Sequence, residues 1–265
     1  MNAGMINTVD SAAHLGMQLA TPLKVEDSGI PYAVVPAGAT LQSLEKFLLR
    51  PVATTINHTF TRAQSLIQFA NRFKNEAMTV SFCEQRNTFL VRVDDDLPDR
   101  PSWRSHSGSL TLKYSPEATA WFDVAGKAKA RDQEDFALFI EDHMLDIVEP
   151  KGADMLAMVL EFKSSSTASF SSAMRLSDGN VQVSYAVESK PGTVSFPERL
   201  KIYIPIFHGQ PRTPIDLRVR YRVHEAKLLL WYEIVGKETL VLQQIEQYVA
   251  QIEAGVGLPV LFRAC

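Results

Sequence analysis

Cysteine is scarce in this sequence, and long apolar runs are missing. The 265 residues include two cysteines, Cys83 and Cys265, and neither has C-x-x-C or zinc-ligand spacing. One pair cannot form a disulfide framework, so a reducing cytoplasm is the expected location. No window approaches about 18 uninterrupted apolar residues, and the N-terminus lacks the basic-then-apolar order of a signal peptide. Neither export nor a membrane span is therefore expected.

Strong net charge and nucleotide-binding glycine motifs are also missing. The net charge of −3 provides no global basic field, so any nucleic-acid contact must be local. Neither G-x-G-x-x-G nor G-x-x-x-x-G-K-S/T occurs, which disfavours the standard nucleotide-loop chemistry. With 46% hydrophobic and 22% charged residues, the chain has ordinary globular proportions and can bury a sizeable core.

Two regions differ in their patterning. Residues 1–38 carry scattered glycines and prolines without sustained periodicity, and they are predicted to form an extended N-terminal arm. Residues 39–265 alternate between helix and hairpin patterns, and no composition shift marks a linker. They are predicted to form a single α+β domain, in which a largely antiparallel twisted sheet is built from hairpins and packed by several amphipathic helices.

Two amphipathic β-hairpins are predicted between residues 164 and 235. The first turns through Asp178-Gly179, which suits a two-residue type I′ turn. Its apolar face is formed by Phe170, Met174, Leu176, Val181, Val183, Tyr185 and Val187. The second hairpin alternates strictly over residues 215–223, turns within 224–227 and returns over 228–234. This alternation is typical of a half-buried antiparallel sheet.

Start and stop signals place several helices around these hairpins. Thr61 and Gln64 have capping-box spacing, and Ser115 precedes a proline as an N-cap. The helices are predicted over residues 41–49, 61–75, from 116 onward, 132–148, 153–162 and 238–254, with the last helix ending at Gly255. A further hairpin is predicted over residues 78–93, with its turn at 84–87.

Acidic residues are the candidate metal ligands. Asp142 and Asp146 are four residues apart on a predicted helix that also carries His143, and the loop after residue 93 carries Asp94–Asp96 and His106. Acids opposite an apolar helix stripe are usually solvated, and the loop lacks an EF-hand register. We therefore expect no metal site, no cofactor site and no catalytic residue.

Arginines alternate along the outer face of the second hairpin. If residues 225–226 form a tight turn, the cross-strand pairs are Arg218 with Glu233, Arg220 with Trp231 and Arg222 with Leu229. Arginines interleaved with a tryptophan fit a stacking platform for single-stranded nucleic acid, and equally a protein–protein surface. Because Leu229 and Trp231 add apolar area and Glu233 cancels one charge, the protein interface is favoured.

Several segments carry a family resemblance. They are residues 135–142, 173–182, 204–207, 217–222 and 257–260, which read DFxxFIED, AMRLSDGNVQ, IPIF, LRVRYR and GLPV. Over roughly residues 30–262 the chain resembles the YfdQ-like family of uncharacterised prophage proteins. The resemblance implies a phage or prophage gene expressed in the bacterial cytoplasm, and it transfers no activity or catalytic residue. At Ala226 the hairpin pattern of the family would suit glycine, which favours a four-residue turn over residues 224–227.

The first functional hypothesis is a non-enzymatic phage or prophage accessory protein that self-assembles into a homo-oligomer. An unpatterned arm gains most by packing on a neighbouring copy, so the partners expected are the protein itself and a phage or host protein. The alternative is a nucleic-acid-binding factor of phage replication or recombination that uses the arginine-bearing hairpin. A metal-dependent enzyme that uses Asp94–Asp96 or the acidic helix is the third and least favoured hypothesis.

Overall fold

A computed structural model describes residues 23–24, 31–32, 40, 45–53, 55–164, 169–187, 190–225 and 227–264. The chain divides into two units, Met1–Thr54 and Thr55–Cys265. In the first unit, β1 (Leu23–Lys24) pairs antiparallel with β2 (Pro31–Tyr32), and Glu45–Phe47 form a 3-10 turn. The rest of the predicted arm and the first part of the helix predicted over residues 41–49 lie outside the described residues.

The second unit confirms the predicted α+β class. Its helices are α1 (Ala63–Phe73), α2 (Pro116–Phe122), α3 (Gln133–Asp142), α4 (Gly152–Ser164) and α5 (Lys237–Val256). Its strands are β3 (Asn57–Phe60), β4 (Thr79–Cys83), β5 (Thr88–Arg92), β6 (Ser107–Thr111), β7 (Arg131–Asp132), β8 (Ile147–Glu149), β9 (Ser169–Arg175), β10 (Asn180–Val187), β11 (Lys190–Pro197), β12 (Arg199–Ile204), β13 (Thr213–His224), β14 (Lys227–Ile234) and β15 (Val260–Arg263).

These strands form three mostly antiparallel sheets. The first has the order β15-β4-β5-β6-β3, in which the edge pairs β15–β4 and β3–β6 are parallel. The second has the order β7-β14-β13-β12-β8, and the third has the order β11-β10-β9. The predicted hairpins form β4–β5, β9–β10 and β13–β14. Apolar side chains from the three sheets and the five helices contribute to one hydrophobic core.

Helix α1 buries the apolar face that its periodicity predicts. The buried residues of that face are Leu66, Ile67, Phe69 and Ala70. The helix begins at Ala63, and its N-cap residue Arg62 makes no side-chain capping hydrogen bond, so the predicted capping box at Thr61 is wrong. The physical reason is that β3 stays paired with β6 as far as Phe60 and that the backbone remains extended through Arg62.

Helix α3 begins as the sequence predicts but ends early. Asp132 caps the helix, since its Oδ1 accepts a hydrogen bond from the Asp135 backbone N–H at 2.9 Å. The helix ends at Asp142 rather than at Val148, and a 3-10 turn over Met144–Asp146 follows. Strand β8 then pairs with β12 and buries Ile147. Tertiary pairing of this segment overrides its helical periodicity.

The first predicted hairpin forms with a longer turn. The Leu176 N–H donates to the Asn180 carbonyl at 2.8 Å, which leaves a three-residue loop with Gly179 at φ +87°. A type I′ turn needs positive φ at two successive residues, so that prediction is wrong. One extra residue in the loop shifts the register of β9 against β10 by one residue. The side chains of β9 beside the turn therefore point to the opposite face of the sheet. Met174 consequently lies opposite Gln182 and is 61% exposed, which overturns its predicted inward position.

Helix α5 continues past its predicted end. Gly255 lies inside the helix, which runs to Val256, and Gly257 caps it at φ +71°. A Cβ atom on Gly255 would lie 2.8 Å from side-chain atoms of Ile67 in α1. Glycine at this position therefore allows the two helices to approach each other closely, and it does not end the helix as the sequence pattern predicts.

Candidate functional site

The β13–β14 hairpin has the register on which the predicted arginine surface depends. Arg218 lies opposite Glu233, Arg220 opposite Trp231 and Arg222 opposite Leu229. His224 pairs with Lys227, so the connection between the strands is two residues long, and its first residue Glu225 has φ +51°. The tertiary structure thus brings the sequence-predicted residues together on one side of the second sheet, whose strand order is β7-β14-β13-β12-β8.

Neighbouring strands extend this surface beyond what the hairpin alone predicts. Strand β12 places Arg199 opposite Arg218 and Lys201 opposite Asp216, and β8 places Glu149 opposite Lys201. Cross-strand partners share a face of the sheet. We call this surface the arginine face, which comprises Arg199, Lys201, Arg218, Arg220, Arg222, Leu229 and Trp231. The alternation of β12, in which Leu200, Ile202 and Ile204 are buried, is the sequence signal that points Arg199 and Lys201 outward.

Two cations of the arginine face are paired within the sheet. Arg220 Nε lies 3.0 Å from Glu233 Oε2, and Lys201 Nζ lies 3.0 Å from Glu149 Oε2. The hydrogen bond to Glu149 raises the pKa of the half-buried Lys201 ammonium. In the described part of the chain, Arg199, Arg218 and Arg222 have no carboxylate within ion-pair distance. These three guanidinium groups remain available to a binding partner.

Two polar atoms of the arginine face are buried and unsatisfied. Arg218 Nε and Trp231 Nε1 have no hydrogen-bond partner among the described residues. A buried donor without an acceptor costs roughly 1–3 kcal/mol. A partner that rearranges these side chains and supplies acceptors would recover part of that cost.

The carboxylates of the loop after β5 bind donors of the chain itself. Asp94 accepts hydrogen bonds from the Ser105 and His106 backbone N–H groups at 2.8 and 2.9 Å. Although burial opposes its ionisation, these donors hold the pKa of Asp94 below its usual value. Asp95 accepts from Thr79 Oγ1 at 2.6 Å, and Asp96 forms an ion pair with Arg104. These contacts give the three carboxylates a structural role in shaping the loop.

Asp142 and Asp146, predicted to lie one turn apart on a helix, belong to different elements in the structure. Asp142 is the last residue of α3 and is exposed, whereas Asp146 lies in the 3-10 turn and is buried. Asp146 Oδ2 accepts a hydrogen bond from Trp121 Nε1 at 3.0 Å. The two acids are therefore not a turn apart on one helix, as the sequence predicts. Within the described ranges, no group of three or more His, Cys, Asp and Glu residues has a geometry suited to a metal ion.

The two cysteines and the hydropathy of the helices are the remaining features that the sequence singles out. Cys83 is buried in β4, while Cys265 lies outside the described residues. None of the helices within the described ranges has the length and apolar character needed to cross a membrane.

Comparisons with known proteins identify one family. A family model described as "Uncharacterized conserved protein (DUF2303)" matches residues 6–263. No curated protein and no solved structure matches the chain.

Proposed function

The chain belongs to the DUF2303 family of uncharacterized conserved proteins, and we propose that it is a non-enzymatic protein that self-assembles into a homo-oligomer. The observation that carries this proposal is that several aliphatic side chains are exposed on α3, on α4 and in the segment that joins these helices. These side chains are Leu138, Leu145, Val148, Leu156 and Leu160. We call them the α3–α4 surface. Contiguous apolar patches on soluble proteins mark interaction sites.

The α3–α4 surface belongs to elements that pack on each other. Helix α4 contacts α3, β8 and the 3-10 turn that joins them. Leu145 in that turn is 95% exposed, and Leu160 of α4 is 58% exposed. Leu156 and Leu160 are four residues apart and share one side of α4. A helix that is apolar on several sides is usually covered on those sides, and a second copy of the chain would cover this one.

The arginine face supports self-association as a second contact. Arg199, Arg218 and Arg222 lie on the same side of the sheet as the exposed carboxylate of Asp216. A two-fold interface brings the same patch of each subunit together, so a face that carries both signs of charge is self-complementary. The chain's own carboxylates across such an interface would also provide acceptors for Arg218.

The resemblance to YfdQ-like prophage proteins supports a more specific role. We infer that the protein is a phage or prophage accessory protein of the bacterial cytoplasm and that a phage or host protein is a further partner. The non-enzymatic part of the proposal rests on the acidic loop, because Asp94–Asp96 already bind Ser105, His106 and Arg104.

Light scattering and native mass spectrometry test self-assembly. We expect the wild type to exceed its monomer mass of 29.6 kDa, and L156Q/L160Q to form smaller species with an unchanged circular dichroism spectrum. The matched control is M174Q, which replaces another exposed apolar side chain on the three-stranded sheet and should leave the mass unchanged. A wild type that is monomeric at micromolar concentration would overturn the proposal.

One observation favours nucleic-acid binding as the second candidate function. Arg199 and Arg218 are direct cross-strand neighbours without a carboxylate between them. Like charges in this position destabilise a sheet, and a phosphate backbone would offset their repulsion. The arginine variants described in the Discussion distinguish this function from self-assembly.

A further inference from the structure

A cavity of about 570 Å³ lies where three distant segments of the second unit meet. Its walls come from the end of β3 and the connection to α1, from the end of β6 and the residues that follow it, and from the turn at residues 207–209, with α5 closing one side. The volume falls within the range of about 300–1,000 Å³ that small-molecule sites occupy. We call this cavity the α1 pocket.

The charged side chains that line the α1 pocket are all basic. They are Arg62 and Lys113, accompanied by the titratable His208, and no acidic residue lines the cavity. Neither Arg62 nor Lys113 forms an ion pair with any described carboxylate. The His208 backbone N–H donates to the Lys113 carbonyl at 3.0 Å, which holds the two side chains on neighbouring backbone segments. The charge of the pocket selects for an anion.

Aromatic rings form the other wall of the α1 pocket. Phe60, Phe207 and Tyr248 line it, and the Tyr248 hydroxyl donates to the His208 carbonyl at 3.3 Å. The Phe207 ring stacks on Tyr114 with 5.4 Å between centroids and an interplanar angle of 3°. These contacts hold Phe207 and Tyr248 in place, and Phe60 packs on Phe69 with 5.4 Å between ring centroids, so the wall is preformed. Preformed aromatic surfaces bind the flat or apolar body of a ligand.

We propose that the α1 pocket binds an organic phosphate that carries an aromatic body. The guanidinium of Arg62 and the ammonium of Lys113 bind the phosphate oxygens, because charge-assisted hydrogen bonds to phosphate are the strongest that these groups make. The hydroxyl groups of Thr61 and Thr111 at the pocket wall add uncharged donors. The ring of the ligand packs against Phe60, which is half-buried, because Phe207 and Tyr248 are almost fully buried. This site does not involve the arginine face or the α3–α4 surface.

Isothermal titration calorimetry with phenyl phosphate tests the proposal, because this probe joins a phosphate to a single ring. We expect one saturable site per chain at millimolar probe or below, and weaker binding of inorganic phosphate and of phenol, which each lack one half of the ligand. In R62Q/K113Q the affinity should fall at least about tenfold, since two charge-assisted hydrogen bonds are lost.

The matched control is R86Q/R263Q, which removes two exposed arginines elsewhere on the second unit and should retain wild-type affinity. Arg62 and Lys113 are both exposed at the surface, and circular dichroism verifies that R62Q/K113Q folds. Equal affinity of the wild type and R62Q/K113Q for phenyl phosphate overturns the proposal. Absence of saturable binding by the wild type overturns it as well, and inorganic phosphate binding as tightly as phenyl phosphate contradicts the role of the aromatic wall.

Discussion

Arg220 donates a hydrogen bond from Nε to Oε2 of Glu233 at 3.0 Å, although the direct cross-strand neighbour of Glu233 is Arg218. This diagonal pairing removes the carboxylate that Arg218 would otherwise use. Arg218 is left beside Arg199, and its Nε is buried without a partner among the described residues. Exposed ion pairs contribute only about 0.2–1 kcal/mol to stability, so the arrangement is readily exchanged for contacts with another molecule.

The first prediction concerns the variant R220E/R222E. If the arginine face is a subunit surface, the two substitutions reverse charges at the interface and change the oligomer size or the solubility. Truncating one partner of a buried charge pair costs about 2–5 kcal/mol. Size-exclusion chromatography with light scattering measures the effect, and R86E/R263E is the control with the same change in net charge.

The opposite outcome would favour the nucleic-acid function. In that case the wild type binds a single-stranded oligonucleotide at near-physiological salt, and the affinity falls steeply as salt is raised because condensed counterions are released on binding. R220E/R222E would lose this binding while its size stays unchanged. Fluorescence anisotropy of a labelled oligonucleotide distinguishes the two results, and we expect no salt-sensitive binding.

The second prediction is that deletion of residues 1–30 reduces the size of the assembly without unfolding the protein. The described hydrophobic core begins at Ala63, so the deletion removes none of it. An arm that packs on a neighbouring copy contributes to assembly alone. Size-exclusion chromatography and circular dichroism measure the two properties. An unchanged elution volume would show that the arm plays no part in assembly.

The third prediction is that Mg²⁺ and Mn²⁺ bind no more tightly than to a solvated acidic surface. Asp94 and Asp95 already accept hydrogen bonds from Ser105, His106 and Thr79, so a metal ion would have to displace these donors. Calorimetric titration of each ion measures the affinity. One saturable micromolar site per chain would contradict this expectation and would reopen the enzyme hypothesis.

The fourth prediction is that the free energy of unfolding falls at acidic pH because of His106. Its side chain is 5% exposed, packs against Phe69 and Phe73, and has an Nε2 without a partner among the described residues. Burial lowers the pKa of His106 below 6.5, with Asp94 opposing and His58 adding to the effect. As the pH falls, His106 therefore takes up a proton in the unfolded chain before it does so in the folded protein. The contribution of neutral His106 to the free energy of unfolding is fully present above about pH 6.5 and is lost as the pH falls through the folded-state pKa.

Urea unfolding at about pH 7.5 and about pH 5 measures this loss. The variant H106F removes the titrating group and should show a smaller difference between the two conditions than the wild type. H224Q, which changes an exposed histidine, serves as the control and should behave as the wild type does. Identical pH dependence in H106F and the wild type would exclude His106 as the source.

The fifth prediction is that G255A destabilises the protein. The new methyl group would lie 2.8 Å from Ile67, and overpacking a core contact costs typically about 1–3 kcal/mol. Replacing a helix glycine by alanine stabilises the helix by roughly 1 kcal/mol at most, so the net effect is a lower free energy of unfolding. Urea unfolding measures it. The double variant I67A/G255A should show a favourable coupling energy relative to the two single variants, and strict additivity would rule out the contact.

Local patterns in the sequence were sufficient for several features. Ser115 caps α2 through a hydrogen bond from the Ala118 N–H to its Oγ, as its position before a proline predicts. The register of β13 with β14 is the one that follows from a tight turn at residues 225–226, because strict alternation and a two-residue connection leave one pairing that buries the apolar row. The four-residue turn favoured from Ala226 is wrong, since His224 pairs with Lys227. In both cases the determining contacts lie within a few residues of each other or across one short turn.

Contacts between distant segments decided the rest. Arg199 joins Arg218 because β12 pairs with β13, and α3 stops at Asp142 because the following residues pair with β12. The α1 pocket brings Arg62, Lys113 and His208 together although nothing in their local sequences relates them. A residue pattern specifies which face of a helix or strand is apolar, but only the packing of the whole chain selects the surface that covers it and the side chains that meet at its edge.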